Sequence, residues 1–285
     1  MIPEHIKFLI ESTLNEEIIS SKNQPGGDIN DASIIKLSDG ESLFLKWNGS
    51  APECMFETEA KGLELLSDTD AELIIPEVIL TGRDFLLLSL IESGTENPDS
   101  SFQFGLELAK LHKNSSNSFG LDHSNFIGKL SQNNSPHQNW ADFLISERIE
   151  PQIKLGMQSG KFGSGIHSKI DSLHKSATNL FPEEPPALLH GDLWSGNYMF
   201  TKNGKASIYD PAVYYGHREM DIAMTRLFGG FSSDFYEGYN SEYPLAGGFE
   251  DRIELCNLYP VLVHANLFGG GYVSQAAGIL DRYCS

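Results

Sequence analysis

The sequence predicts an α+β fold in two lobes: an antiparallel sheet carrying one helix over residues 1–91, then a mostly helical lobe over residues 92–285. Three observations predict it. Short β-rich runs separated by turn signals fill the stretch from Ile18 to about Ile91, and helical periodicity dominates beyond residue 101. Between them ESGTENPDSS, residues 92–101, has the Gly, Pro and small polar residues of a connector. With 285 residues, 40% of them hydrophobic, the chain can bury one large core or two modest ones.

Each element has its own signal. MIPEHIKFLIES places Ile2, Ile6, Leu9 and Ile10 at helical spacing and carries acids early, so it reads as an amphipathic helix and not as a signal peptide. The runs EEIIS, SIIKL and SLFLKW follow, the last two separated by Asp39-Gly40, a pair that favours a tight primed turn with positive φ at both positions. In PECMFETEAKGLELLSD, Met55, Phe56, Leu63 and Leu66 share one helix face, and LIIPEVIL and FLLLSLI complete about five strands. In the second half Phe104, Leu108 and Leu111 repeat at helical spacing, as do residues within WADFLISERIEPQI, SKIDSLHKSATNL, REMDIAMTRLF and EDRIELCNLY. ALLHGD, NYMF and ASIYD are the single β-like interruption, with Asn203-Gly204 turning the chain between the last two. Residues 114–139, polar and rich in Ser and Asn, are expected to be loop with little regular structure.

Charge and composition exclude several functions. Against 20 Lys and Arg stand 39 Asp and Glu, and a formal charge of −19 repels a nucleic-acid backbone and an anionic membrane alike. The longest apolar runs, such as FLLL at 85–88, fall far short of a membrane span of roughly 20 residues. Cys54, Cys256 and Cys284 are odd in number and share no CxxC spacing, so a reducing cytoplasm is expected, with neither a disulfide framework nor a zinc cluster.

The stretch LLHGDLWSGNYMF, residues 188–200, carries the chemistry. Aspartates and asparagines at strand ends usually cap backbone N–H groups, which is the structural alternative for each taken singly. Together, H-x-D-x-x-x-x-N from His190 to Asn197, with Asp210 thirteen residues further on, matches the kinase pattern of catalytic loop and metal-binding aspartate. Phosphoryl transfer needs a carboxylate to orient the hydroxyl, a role for Asp192, and oxygen ligands for Mg²⁺ on the ATP phosphates, a role for Asn197 and Asp210. Gly191 stands where protein kinases have Arg, which points to a small-molecule kinase; His190 reads as structural. The same chemistry needs a strand lysine and a helix glutamate, and Lys46 in FLKW and Glu59 supply them, with Glu59 preferred over Glu57 because it lies on the inward stripe of its helix. The Gly26-Gly27 turn is placed to cover phosphates, although GGD lacks the full G-x-G-x-x-G.

In order along nearly the whole chain, GGDIND, LFLKW, FETEAKGLELL, LAKLH, NFIG, LLHGDLWSGN, DPAVYYGHREMDIAMT, LFGGF and ANLFGGGY resemble the blocks of the fructosamine kinase (ketosamine-3-kinase) family, relatives of aminoglycoside and choline kinases. That resemblance implies a bilobal protein-kinase-like fold, with nucleotide held by residues 1–91 and catalysis and acceptor binding in 92–285. It implies ATP-dependent phosphorylation of the third hydroxyl of a ketosamine sugar, giving a product that sheds the sugar, hence deglycation. Asp192 becomes the catalytic base, Asn197 and Asp210 the Mg²⁺ ligands, Lys46 with Glu59 the phosphate-positioning pair, and Ser89, Leu90 and Ile91 the hinge whose backbone meets adenine. Trp194, Tyr214 and Tyr215 flank these residues and are candidate walls of the sugar site, although aromatics more often belong to the core. Asp221 is expected to brace the catalytic loop, as the equivalent aspartate does in related kinases. His112 and His264, in apolar helical text, read as core histidines. Two departures stand out: no cysteine lies near Gly26-Gly27, so regulation by a loop disulfide is not expected, and Ser131-Gln132-Asn133-Asn134 replaces the family's Pro-Gln-x-Asn.

Competing readings keep a kinase acting on another alcohol (an aminoglycoside, choline or a simple sugar) or a pseudokinase that binds nucleotide without transfer. A hydrolase with His190 and Asp192 as metal ligands lacks a second histidine at ligand spacing.

Overall fold

The computed structural model describes residues 1–24 and 30–284, without the side chains of Ser164 and His167; Gly26 and Gly27, expected over the phosphates, lie outside the described residues. Helix α1 (Glu4–Leu14) leads into β1 (Ile18–Asn23), β2 (Asp31–Leu37) and β3 (Ser42–Trp47), then α2 (Met55–Ser67), β4 (Val78–Thr81) and β5 (Phe85–Ser89). The five strands form one antiparallel sheet in the order β1-β2-β3-β5-β4.

Alternation along the strands divides the sheet into two apolar faces. Leu43, Leu45, Trp47, Phe85 and Leu87 pack with Ile6 and Ile10 of α1. Leu86 and Leu88 pack on Phe56, Ala60 and Leu63 of α2. By the same period of two, Lys46, one residue from both Leu45 and Trp47, projects toward α2.

The turn between β2 and β3 differs from the primed turn expected of Asp39-Gly40. Leu37 N–H donates to Glu41 O at 2.8 Å around a three-residue loop, and only Gly40 has positive φ, +94°. The Asp39 carboxylate instead accepts from Glu41 N–H at 2.9 Å, which fixes Asp39 in ordinary backbone and leaves the left-handed position to glycine.

The second half contains α3 (Ser100–His112), the hairpin β6 (Asn125–Ile127) and β7 (Leu130–Gln132), α4 (Trp140–Phe143), a π-helical stretch Leu144–Ile149, α5 (Glu150–Gln158), a 3₁₀ turn and α6 (Ile170–Leu180). Then come β8 (Ala187–Leu189), β9 (Tyr198–Phe200), β10 (Ala206–Ile208), β11 (Tyr214–Gly216), α7 (Glu219–Leu227), α8 (Ser233–Glu242), α9 (Phe249–Phe268) and α10 (Gly271–Tyr283). β9 pairs with β10 through the Asn203-Gly204 turn, and β8 pairs with β11. Within 114–139, expected to be loop with little regular structure, the regular elements are the short strands of the β6–β7 hairpin. Its polar side chains are buried and matched: Gln132 and Asn134 are 1% and 2% exposed, and each donates to Asn125 Oδ1 at 2.9 Å. Among the described residues no helix is long and apolar enough to cross a membrane.

Candidate active site

The polar residues singled out in the sequence converge where the sheet meets the helical half. Lys46 Nζ donates to Glu59 Oε1 at 2.8 Å and to Asp210 Oδ1 at 2.7 Å, joining β3, α2 and a segment 164 residues away. Glu57 points outward and pairs with Lys61 instead. Burial works against the Lys46 charge, but Asp210 and Glu59 outweigh it and raise its pKa. Two carboxylates share this one cation, so burial and the Asp210 charge raise Glu59 against the pull of Lys46.

Asp192 follows β8 on a loop held from behind. Asp221 of α7 accepts from His190 N–H at 2.7 Å and from Gly191 N–H at 2.9 Å, and His112 Nε2 lies 3.2 Å from the same carboxylate. His190 Nε2 contacts Tyr209 O at 3.0 Å; since a carbonyl only accepts, the proton sits there and Nδ1 is free to accept from Asp192 N–H at 3.3 Å. His190 and His112 are thus structural. Gly191 has φ +82°, and a Cβ there would lie 2.1 Å from Ala212 O. The position that carries Arg in protein kinases therefore has room only for glycine.

Asn197 Nδ2 donates to Asp192 Oδ2 at 3.1 Å and to Asp192 O at 2.9 Å. Burial, then the charge of Asp210, with a further contribution from Asp221, pushes the Asp192 pKa up to about 7, against the Asn197 hydrogen bond. Asp210 adopts φ +56°, rare for a residue other than glycine, and its side chain is 45% exposed. The amide oxygen of Asn197 and the carboxylate of Asp210 are hard oxygen donors suited to Mg²⁺. Among the described residues no group of three or more His, Cys, Asp or Glu could hold a metal unaided. A pair of protein oxygens completed by phosphates fits the usual manner of holding Mg²⁺.

The β5 ladder ends at Ser89, and Leu90 and Ile91 follow it as a half-buried segment. Trp194 is 38% exposed and stands edge-on to Phe228 at 5.9 Å. Tyr214 and Tyr215 point away from each other, because adjacent residues of β11 face opposite ways. Tyr214 is 1% exposed, stacked on Phe143 at 5.6 Å with Arg148 4.0 Å from its ring centre, and lines a small cavity next to Asp192. Tyr215 does not line that cavity. Gln132, within the Ser131-Gln132-Asn133-Asn134 stretch, donates to Ala212 O at 3.1 Å, and Asn125 of β6 donates to Val213 O at 2.8 Å, both holding the segment after Asp210 from behind the site.

His264, read from the sequence as a core histidine, is half-buried. It lines the cavity that contains Asp192, together with Tyr259 of the same helix. Its apolar helical surroundings in the sequence gave no sign of a place beside Asp192.

A five-stranded antiparallel sheet clamped through a buried lysine to a helical lobe is the bilobal protein-kinase-like fold of phosphotransferases. The sequence model of the fructosamine kinase family matches residues 1–285. A "probable ketoamine kinase" of Vibrio parahaemolyticus is 39% identical over 285 residues, covering 98% of this chain and 96% of that protein. The chloroplastic protein-ribulosamine 3-kinase of Oryza sativa is also 39% identical, over 90% of this chain and 77% of the rice protein. A crystal structure from Thermobifida fusca, assigned as a fructosamine-3-kinase, superposes with a TM-score of 0.88 at 29% identity, covering 98% of this chain and 100% of that one. The chain belongs to the fructosamine kinase family.

Proposed function

We propose that this protein is an ATP-dependent kinase that phosphorylates ketosamines, sugars linked to an amine, on the third hydroxyl of the sugar. The observation that carries this reading is the Lys46 contact, which draws Glu59 and Asp210 together beside Asp192. The names of the relatives matched over most of the chain support a ketosamine as the acceptor. Residues 1–91 hold the nucleotide and residues 92–285 the acceptor.

The contacts around Lys46 and Asp192 support the following roles. Lys46, kept protonated by its two carboxylates, holds the phosphates of ATP, and Glu59 fixes the direction of its side chain. The backbone of Ser89, Leu90 and Ile91, at the end of the β5 ladder, receives adenine, and the role given to Gly26-Gly27, covering the phosphates, rests on the sequence alone. Asn197 and Asp210 would hold Mg²⁺, which when bound neutralises charge on the phosphates. Asp192, held by Asn197 and by the backbone bonds to Asp221, orients the acceptor hydroxyl and takes its proton. Trp194 offers an exposed ring to the sugar's C–H face. The three free cysteines suit a cytoplasmic setting.

Phosphorus NMR of a reaction with Mg-ATP and fructosyl-lysine or ribulosyl-lysine tests the assignment. We expect a phosphomonoester coupled to the proton on the third sugar carbon. Release of inorganic phosphate alone, or an ester at another carbon, would contradict it.

A further inference from the structure

Two Phe-Gly-Gly stretches end the helices that border the Asp192 cavity. Gly229 and Gly230 after α7 have φ +72° and +95°, and Gly269 and Gly270 after α9 have +71° and +61°. Left-handed backbone stops each helix abruptly and leaves its phenylalanine at the surface, with Phe228 39% and Phe268 56% exposed. Both rings meet one residue. His264 lies 5.1 Å from Phe228, 5.6 Å from Phe268 and 5.0 Å from Tyr272 between ring centres. Through Phe228 the rim continues to Trp194 on the Asp192 loop. Contiguous exposed aromatics of this kind mark a binding surface.

His264 sits at the inner end of the rim and lines the same cavity as Asp192. Its Nδ1 lies 2.8 Å from Pro260 O, so Nδ1 carries the proton and Nε2 a lone pair. Among the described residues nothing donates to Nε2. Burial lowers the pKa of the ring against the Pro260 contact, which favours the neutral form. A neutral acceptor walled by π faces suits a group that is both a hydrogen-bond donor and a cation. The net charge of −19 favours the same sign.

Resting on the ketosamine reading above, we propose that His264 recognises the amine of the acceptor: Nε2 accepts a hydrogen bond from the protonated amine, and Phe228 and Phe268 pack against its charge and adjoining carbons. Preference for an amine-linked sugar over the plain ketose then resides at His264, apart from the residues that handle the phosphoryl group.

The test compares two ligands in each variant: whichever of fructosyl-lysine and ribulosyl-lysine the unmodified protein turns over, as substrate, and the matching ketose, with a hydroxyl in place of the amine, as competitive inhibitor. We expect His264→Leu to raise KM for the ketosamine about tenfold or more, the effect of one hydrogen bond to a charged group, and to lower kcat by less than that factor. His264→Gln, which keeps an acceptor oxygen, recovers part of the loss. Phe268→Ala, at an exposed position that does not threaten folding, raises the same KM. The inhibition constant of the ketose hardly moves in any of them. Equal weakening of both ligands, or an unchanged ketosamine KM, would overturn the inference and leave the proposed function standing. Failure of the unmodified protein to phosphorylate either ketosamine would overturn both.

Discussion

At the level of single residues, Asp192 owes its position to groups that do not face the acceptor hydroxyl. Asp221 ties down the two preceding backbone N–H groups, and His190 accepts from the backbone of Asp192 itself. If Asp192 is the proton acceptor, Asp192→Asn keeps the shape of the loop and removes the base, and kcat should fall by about 10² or more with the melting temperature little changed. Turnover like that of the unmodified protein would refute the role. Gly191→Ala should act differently: a Cβ 2.1 Å from Ala212 O forces the loop apart, so stability and turnover fall together in thermal and kinetic assays. The pattern from His190 to Asp210 was legible in the sequence because spacing alone carries it. The need for glycine at 191 was not, since the clash comes from a segment 21 residues further on.

Between elements, close approach and polar ties set the geometry. A Cβ at Gly105 of α3 would lie 1.8 Å from Phe235 O, and one at Gly238 of α8 would lie 2.0 Å from Phe102 O, so the two helices cross backbone to backbone. Gly238→Ala should destabilise the protein by about 1–3 kcal/mol in a denaturant titration, and an unchanged midpoint would disprove the packing argument. At the start of α7, Arg218 makes a two-pronged pair with Glu184 at 2.7 and 2.8 Å and caps Tyr243 O and Pro244 O. Burial raises the Glu184 carboxyl, but Arg218, with His217 and Arg252, outweighs it and holds the pKa below its ordinary value. Such a group adds stability above its unfolded-state pKa and loses it as pH falls through the lower folded value. Glu184→Gln should therefore melt lower than the unmodified protein near neutrality, with the gap closing in acid; a gap independent of pH would refute the pair. In the first half β2, β3 and β5 were legible as apolar-rich runs of five to seven residues bounded by turn signals. β6, β7 and β11 have three residues each, too few for a period to show, whereas the equally short β8, β9 and β10 were marked by the turn residues around ALLHGD, NYMF and ASIYD. Asn125, Gln132 and Asn134 look like loop residues by composition, yet they are buried because every amide finds a partner.

For the molecule as a whole, the informative contact is Lys46 with Asp210, since it sets residues from the sheet and the helical lobe within one cleft. Strand periodicity turns Lys46 toward α2, and α2 presents Glu59 at the matching level. That much could be read from Phe56, Leu63 and the alternation of β3. What no local pattern holds is the aromatic rim around His264, assembled from the ends of α7 and α9 and from the Asp192 loop. The central claim is that this cleft passes phosphate from ATP to a ketosamine and not to other alcohols. Its most direct test is ATP consumption with Mg²⁺ against ribulosyl-lysine, fructosyl-lysine, the free sugars, choline and an aminoglycoside. Selective turnover of a ketosamine is the predicted result; turnover of choline or the aminoglycoside alone, or of no acceptor at all, would contradict it.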